Sequence, residues 1–349
     1  MQNDYKQAPR RASPNARAAA ALAKIKAQNK RRKRNSIIAG VIFGAIVIIT
    51  LCAVLLAPRS SSATESIGIS EKTANSATVQ TISADEYTDR ISDGYYSNNI
   101  LLVDLTNKKI LAEKDGAKIA YPASLTKIMT LIVALENCGD YEATFSLDRD
   151  MADYLFIENA SVVGYSVGEK MNFDDMLYGT MLASGADTAL GLANTVAGSE
   201  ENFVALMNLE CEKLGLSNTH FSNVTGLHDK DHYTTAYDMA HLLEYALKNE
   251  KFYQIFTTTQ YTTSKTKEHP DGMRINATWA ISYNKANLDR GYVVGAKTGF
   301  TDEAAQCLAS VAKKDGNTYV LITLGAGGGY RDQMYHVLDT AKIYDTYLQ

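Results

Sequence analysis

Three pairs in this 349-residue chain place a serine three positions before a lysine: Ser124 with Lys127, Ser264 with Lys267, and Ser310 with Lys313. A serine hydroxyl becomes an effective nucleophile only when a neighbouring group takes its proton, and an uncharged lysine can do so if both side chains point the same way. About one such pair is expected by chance in a chain this long, so the setting has to decide. Ser310 and Lys313 fall on a predicted strand, where residues three apart face opposite sides. Ser264 sits in a polar run, Thr262-Thr263-Ser264-Lys265-Thr266-Lys267, with no helix to organise it. Ser124 opens a predicted helix, where positions i and i+3 share a face and the first-turn N–H groups favour a developing negative charge. From these residues alone, a plain capping serine followed by a surface lysine is the competing reading.

A second signal lies near the C-terminus, Gly295-Ala296-Lys297-Thr298-Gly299-Phe300-Thr301 on a predicted strand. A Lys-Thr-Gly triplet arises by chance roughly once in ten or more chains of this size. Paired with Ser-x-x-Lys and a further serine motif, it is the signature of penicillin-recognising serine enzymes. With these residues the chain resembles the low-molecular-mass penicillin-binding proteins, the serine D-alanyl-D-alanine carboxypeptidases. The resemblance runs from about Asn99 to the C-terminus, through Tyr121-Pro122-Ala123-Ser124-Leu125-Thr126-Lys127-Ile128-Met129-Thr130, Met181-Leu182-Ala183-Ser184-Gly185-Ala186-Asp187, His232-Tyr233-Thr234-Thr235-Ala236-Tyr237-Asp238-Met239-Ala240 and Gly295 to Thr301.

The resemblance implies catalytic roles for Ser124, Lys127 and Ser184, and substrate binding by Lys297, Thr298, Gly299, Phe300 and Arg331. Ser124 would attack the penultimate D-alanine carbonyl of a peptidoglycan stem peptide ending in D-Ala-D-Ala, and Lys127 would take its proton. Lysine is a base near neutral pH only if its pKa falls, and burial beside Lys297 pushes that way. Ser184 would pass the proton to the leaving amine. The N–H groups of Ser124 and Phe300 would hold the oxyanion, while Lys297, Thr298 and Arg331 would meet the terminal carboxylate. β-Lactams would inhibit by acylating Ser124. No metal or organic cofactor is implied. One position departs from the family pattern, Ser-x-Asn, because Ser184-Gly185-Ala186 lacks the amide. A literal Ser-x-Asn at Ser282-Tyr283-Asn284 lies only 15 residues before Lys297, outside the helical middle, so Ser184 is preferred. A β-lactamase and a catalytically weak penicillin-binding sensor or scaffold are the rival functions. A metal reading of His228 and His232 is set aside for a solvated turn, since both lie in Thr225-Gly226-Leu227-His228-Asp229-Lys230-Asp231-His232 and no His-Glu-x-x-His helix occurs.

The elements that must position these residues are legible as patterns. Asn99 to Leu105 and Lys109 to Glu113 read as two strands around a turn, and Gln306 to Ala312 with Thr318 to Leu324 as a second hairpin around Asp315-Gly316. Ser124 to Asn137 carries a helical stripe at Ile128, Leu131, Ile132 and Leu135. Asn172 with Asp175, and Thr235 with Asp238, have capping-box spacing and open predicted helices over Phe173 to Ala183 and Ala236 to Leu247. Strands at both ends around a helical middle predict one sheet closed by the terminal segments, with a helical lobe inserted. The expected class is α+β, β-lactamase/transpeptidase-like, an antiparallel sheet flanked by helices and preceded by one transmembrane helix.

Charge divides the chain more sharply than its net of −4 suggests. Residues 1–35 hold eleven Lys or Arg against Asp4 alone, whereas residues 60–349 hold 23 basic against 38 acidic residues, a net of −15. The latter part is no nucleic-acid binder, since phosphate neutralisation needs the opposite sign. Between them Ser36 to Ala57 is uncharged for 22 residues, long enough at about 1.5 Å per residue to cross a hydrocarbon core of about 30 Å. The predicted organisation is a basic cytoplasmic tail (1–35), a transmembrane helix (36–57), a flexible Ser/Thr-rich linker (58–92) and a penicillin-binding peptidase domain (93–349). The positive cluster at 30–34 places the tail in the cytoplasm and the peptidase domain outside a bacterial cell membrane, in single-pass topology. A cleaved signal peptide is the alternative. Cys138, Cys211 and Cys307 are an odd number at wide spacings and imply no disulfide framework.

Overall fold

A computed structural model describes residues 88–349 apart from 290, 330 and 331. The predicted tail, membrane span and most of the linker therefore lie outside the described residues, as does Arg331. Among the described residues no helix is long and apolar enough to cross a membrane.

The chain enters through β1 (Asp89–Arg90), β2 (Asn99–Asp104) and β3 (Lys109–Lys114), then a 3-10 turn (Ala123–Leu125) that runs into α1 (Thr126–Asn137). A helical lobe follows: β4 (Thr144–Ser146), α2 (Arg149–Ile157), β5 (Lys170–Asn172), α3 (Phe173–Leu182), α4 (Ala186–Ala197) and α5 (Glu200–Leu214). The chain returns through α6 (Ala236–Ala246), α7 (Glu250–Thr257), β6 (Gln260–Thr262), β7 (Arg274–Asn276) and α8 (Thr278–Lys285). It closes with β8 (Val293–Thr301), β9 (Ala305–Lys314), β10 (Asn317–Ala326) and α9 (Tyr335–Tyr347).

The main sheet has the order β1-β3-β2-β10-β9-β8, so the last hairpin pairs with the first as the terminal patterning predicts. β10 lies antiparallel to β2 with Leu321 opposite Leu102, and β8 antiparallel to β9 with Lys297 opposite Ala309. One pairing departs from an all-antiparallel sheet: β1 runs parallel to β3, with Asp89 opposite Ala112, which makes the sheet mixed. β1 also falls within the final residues assigned to the linker, and Thr88 is already buried with its hydroxyl on the Ile110 carbonyl. The domain thus begins earlier than position 93.

Every residue of β2 is buried. Successive strand residues point to opposite faces, so continuous burial requires cover on both sides. Helix α6 packs on β2 and β10, and α9 on β9 and β10. The backbone N–H and hydroxyl of Ser97 both donate to the Asp339 carboxylate, at 2.7 and 2.6 Å, fixing α9 to the approach of β2. Helix α1 exceeds its predicted stripe, for every residue from Thr126 to Leu135 is buried. It packs against α3, α4, α5, α6 and α7, so it has no solvated face. The predicted capping boxes are half made. Asn172 and Thr235 cap α3 and α6 by accepting the N–H of Asp175 and Asp238. The two aspartates do not reach back to the caps: Asp175 accepts from Ser264 N and the Tyr261 hydroxyl, and Asp238 from Asn218 N and the Thr219 hydroxyl. Their carboxylates tie helix starts to distant loops instead.

Candidate active site

Ser124 lies in the 3-10 turn rather than at the cap of an α-helix, and Leu125 occupies the cap position of α1. The turn still places Ser124 one helical turn from Lys127, whose ammonium nitrogen is 3.1 Å from Ser124 Oγ. Lys127 is only 2% exposed, which removes the surface-lysine reading. The other two Ser-x-x-Lys pairs are not assembled. Ser310 Oγ is buried against the Tyr344 hydroxyl at 3.0 Å while the Lys313 ammonium sits over the Tyr253 ring, and Ser264 Oγ accepts from the Asn172 amide.

The loop between α3 and α4 supplies Ser184, with a φ of +58°, in the left-handed region that non-glycine residues seldom occupy. Strand β8 supplies Lys297, wholly buried, whose Nζ donates to Ser184 Oγ at 2.9 Å and to the Thr298 carbonyl at 2.8 Å. The two lysines thus each hold one serine, from different elements. Burial pulls Lys127 down from its ordinary 10.5 to about 7, against a smaller upward pull from the Asp187 carboxylate. Lys297 is also held well below its ordinary value, by burial first and by the charge of Lys127 second. Desolvation, more than the repulsion between the two ammonium groups, therefore makes a base of Lys127 near neutral pH.

Gly299 is where β8 crosses the nucleophile turn. A Cβ there would lie 3.0 Å from the Pro122 carbonyl oxygen and 3.2 Å from Ser124 N, so any side chain at this position would press on the turn. Strand β8 packs on the 3-10 turn that carries Ser124. Thr298 is partly exposed, and its hydroxyl is 2.8 Å from that of Thr278 at the start of α8, a neighbour that no sequence pattern indicates. Ser282 of the rejected Ser-x-Asn is on α8 with its hydroxyl on the Thr278 carbonyl, and Tyr283 is buried. Ala186 begins α4, is 2% exposed, and donates its N–H to the Ser161 carbonyl. The neighbouring Asp187 faces away from the role an asparagine would have: its carboxylate accepts the N–H groups of Val163, Gly164 and Thr188.

The stretch 225–232, expected to be a solvated turn, is divided: His228, Lys230 and Asp231 are exposed, whereas Thr225, Gly226 and His232 are buried on the side of the site. The Thr225 carbonyl accepts from Lys127 Nζ. Gly226, with a φ of +80°, passes so near the nucleophile turn that a Cβ would lie 2.0 Å from the Ala123 carbonyl oxygen. Asn223 folds this turn internally, its amide oxygen accepting from Thr225 N, the Thr225 hydroxyl and Gly226 N, which leaves it a structural Asx turn. That role is readable in Asn223-Val224-Thr225-Gly226 once an Asx turn is sought. His232 is buried with both ring nitrogens engaged by the protein, so neither is left to hold a metal.

A nucleophilic serine beside a desolvated lysine, a second serine held by a second desolvated lysine, and a strand crossing the nucleophile turn at a glycine together suit acyl transfer. The model of the D-alanyl-D-alanine carboxypeptidase family, peptidase S11, matches residues 88–328. The chain is 33% identical over 233 residues to D-alanyl-D-alanine carboxypeptidase DacF of Bacillus subtilis, covering 66% of this chain and 57% of that relative's length. It is 32% identical over 204 residues to a D-alanyl-D-alanine carboxypeptidase of Streptomyces sp. strain K15, covering 56% of this chain and 69% of the relative. The crystal structure of the Streptomyces K15 DD-transpeptidase superposes with a TM-score of 0.66 at 26% identity, over 74% of this chain and 99% of that one. Two buried lysine–serine pairs are thus found on a fold shared with these enzymes and in a sequence that matches their family along most of the described residues; the chain belongs to the D-alanyl-D-alanine carboxypeptidase family.

Proposed function

We propose that this protein is a serine D-alanyl-D-alanine carboxypeptidase that removes the terminal D-alanine of peptidoglycan stem peptides through a Ser124 acyl-enzyme. The observation that carries the proposal is the 3.1 Å contact between Ser124 Oγ and a buried Lys127 whose pKa is about 7. Lys127 takes the hydroxyl proton as Ser124 attacks the penultimate carbonyl, and the N–H groups of Ser124 and Phe300 receive the oxyanion. Ser184 passes a proton to the departing amine; Lys297, Thr298 and Arg331 meet the terminal carboxylate of the substrate. Water then releases the shortened peptide. A β-lactam offers a strained carbonyl to the same serine and leaves a longer-lived acyl adduct, so these antibiotics inhibit.

The domain works outside a bacterial cell membrane, held by the span at 36–57 and a flexible linker beyond it, with the tail 1–35 in the cytoplasm. The uncharged 22-residue run and its basic N-terminal flank support this topology. Incubation with a fluorescent penicillin, gel separation and peptide mapping test the chemistry. A covalent adduct on Ser124 that is lost in Ser124→Ala is expected. An adduct on Ser264 or Ser310, or one that persists in Ser124→Ala, refutes the assignment.

A further inference from the structure

The turn that presents Ser124 begins at Ala123, whose φ of +46° is unusual for a residue with a side chain. Such a conformation persists only where the surroundings impose it. The Ala123 carbonyl accepts both the N–H of Thr126 and, at 2.7 Å, its hydroxyl. The same Thr126 Oγ1 lies 2.7 Å from Nε2 of His232, 106 residues along the chain. His232 is 2% exposed, and its other ring nitrogen, Nδ1, accepts the N–H of Ser222 at 3.1 Å.

The direction of these bonds is fixed by their ends. A backbone N–H can only donate, so Nδ1 bears a lone pair and the proton of the neutral imidazole is on Nε2. A backbone carbonyl can only accept, so the single hydroxyl proton of Thr126 goes to Ala123. Thr126 Oγ1 is therefore left to accept from Nε2. The chain reads Ser222 N–H to Nδ1, Nε2–H to Thr126, and Thr126 O–H to the Ala123 carbonyl. The edge-to-face contact between the imidazole and the Phe221 ring, 5.4 Å between centroids, accounts for burying an aromatic ring here. It does not account for the two polar bonds, which a phenyl ring could not make.

We propose that His232 is a positioning residue for acylation: its Nε2–H orients the Thr126 hydroxyl, which holds the Ala123 carbonyl and so keeps Ser124 Oγ within reach of Lys127. This inference rests on the Ser124 acyl-enzyme reading. Gly226 reinforces the same clamp from the other side, because its backbone approaches the Ala123 carbonyl in the space a Cβ would fill.

The test separates donor from acceptor. The amide nitrogen of glutamine reaches about as far as Nε2, whereas the amide oxygen of asparagine stands about where Nδ1 does. His232→Gln thus keeps the bond to Thr126, and His232→Asn keeps only the bond to Ser222. Stopped-flow mixing with a fluorescent penicillin yields the acylation rate constant and the affinity of the preceding non-covalent complex, with the melting temperature measured for each variant. His232→Asn is expected to acylate about tenfold more slowly, the loss of one hydrogen bond in the acylation step, with the non-covalent affinity unchanged. His232→Gln recovers most of the rate even if it melts at the same temperature as His232→Asn. Thr126→Val slows acylation like His232→Asn, and the double variant is no slower than the worse single one, since both remove the same bond. A wild-type rate in His232→Asn, equal slowing in His232→Gln and His232→Asn, or additive effects in the double variant would overturn the proposal. If His232→Asn does not fold, Thr126→Val against Thr126→Ser decides it, serine acylating normally and valine slowly; equal rates refute it. Labelling of the unaltered protein, measured first, tests the acyl-enzyme reading separately.

Discussion

Lys127 carries two consequences that follow from one physical cause. Burial, only partly offset by the Asp187 carboxylate, lowers its pKa to about 7, so below that pH it is charged and cannot accept the Ser124 proton. Acylation by penicillin is therefore expected to rise with pH through about 7 and level off above it; a rate independent of pH from 5 to 9 would exclude Lys127 as the base. Lys127→Ala should slow acylation by roughly 10² to 10⁴-fold, the usual contribution of a general base. The second consequence concerns stability. In the unfolded chain the lysine keeps its proton up to about 10.5, whereas in the folded protein it loses it above about 7. Between those values the unfolded state binds more protons, so folding stability rises with pH across that window and this contribution is lost as pH falls towards 7. Lys127→Met, of similar length and never charged, should be more stable than the unaltered protein at pH 7. The gain is on the order of 2 kcal/mol once the lost bond to the Thr225 carbonyl is set against it. Thermal melts at pH 7 and 10 check the sign: the gap should narrow at the higher pH.

At the scale of elements, the site depends on how closely two segments approach the Ser124 turn. Strand β8 comes in at Gly299 and the 223–232 segment at Gly226, and both would meet the turn's backbone if a Cβ were added. The Gly226 case is the more severe, because its φ of +80° disfavours any side chain and the contact is with a carbonyl that cannot swing away. Gly226→Ala should cost on the order of 3 kcal/mol in chemical denaturation, combining left-handed backbone strain with a forced shift. Because the shift moves Ser124, acylation should fall in the fraction that still folds. Gly316→Ala is a useful comparison, for Gly316 has a similar φ of +81° but open space around it. Its cost should be limited to about 1 kcal/mol, with acylation unchanged. Equal effects at the two positions would show that the close approach is of no consequence.

For the whole molecule, a net charge of −15 on residues 60–349 set against eleven basic residues in the first 35 suits two sides of a membrane. Protease added to intact, wall-stripped cells should remove the peptidase domain and spare the tail, read by antibodies to each end. Survival of the domain would sink the proposed topology. The linker proposed here would hold the domain on the order of 30 Å from the membrane, by a random-coil estimate. Its described end is already part of the fold, since β1 pairs with β3 and Thr88 is buried.

Much of this protein was decided by local sequence. The spacing of Ser124 and Lys127, the Lys297-Thr298-Gly299 triplet and the strand patterns at both ends are local quantities, and local patterns fix which faces are apolar and which side chains share a helical turn. They suffice for the class of fold and for singling out Ser124, Lys127 and the Lys297-Thr298-Gly299 triplet; the roles proposed for Ser184, Phe300 and Arg331 come from the family resemblance. Three features were decided only by tertiary structure. The pKa of Lys127 depends on desolvation by elements from across the chain, which no spacing reveals. The Asn172 and Thr235 caps were legible, but the destinations of the Asp175 and Asp238 carboxylates were not, because their partners lie in distant loops. The segment 225–232 looked like a solvated turn because most of its residues are polar. Its exposed middle fits that reading, but its two ends are buried because polar groups can be buried once each finds a partner, and for Thr225 and His232 the partners Lys127 and Thr126 are about a hundred residues away in sequence.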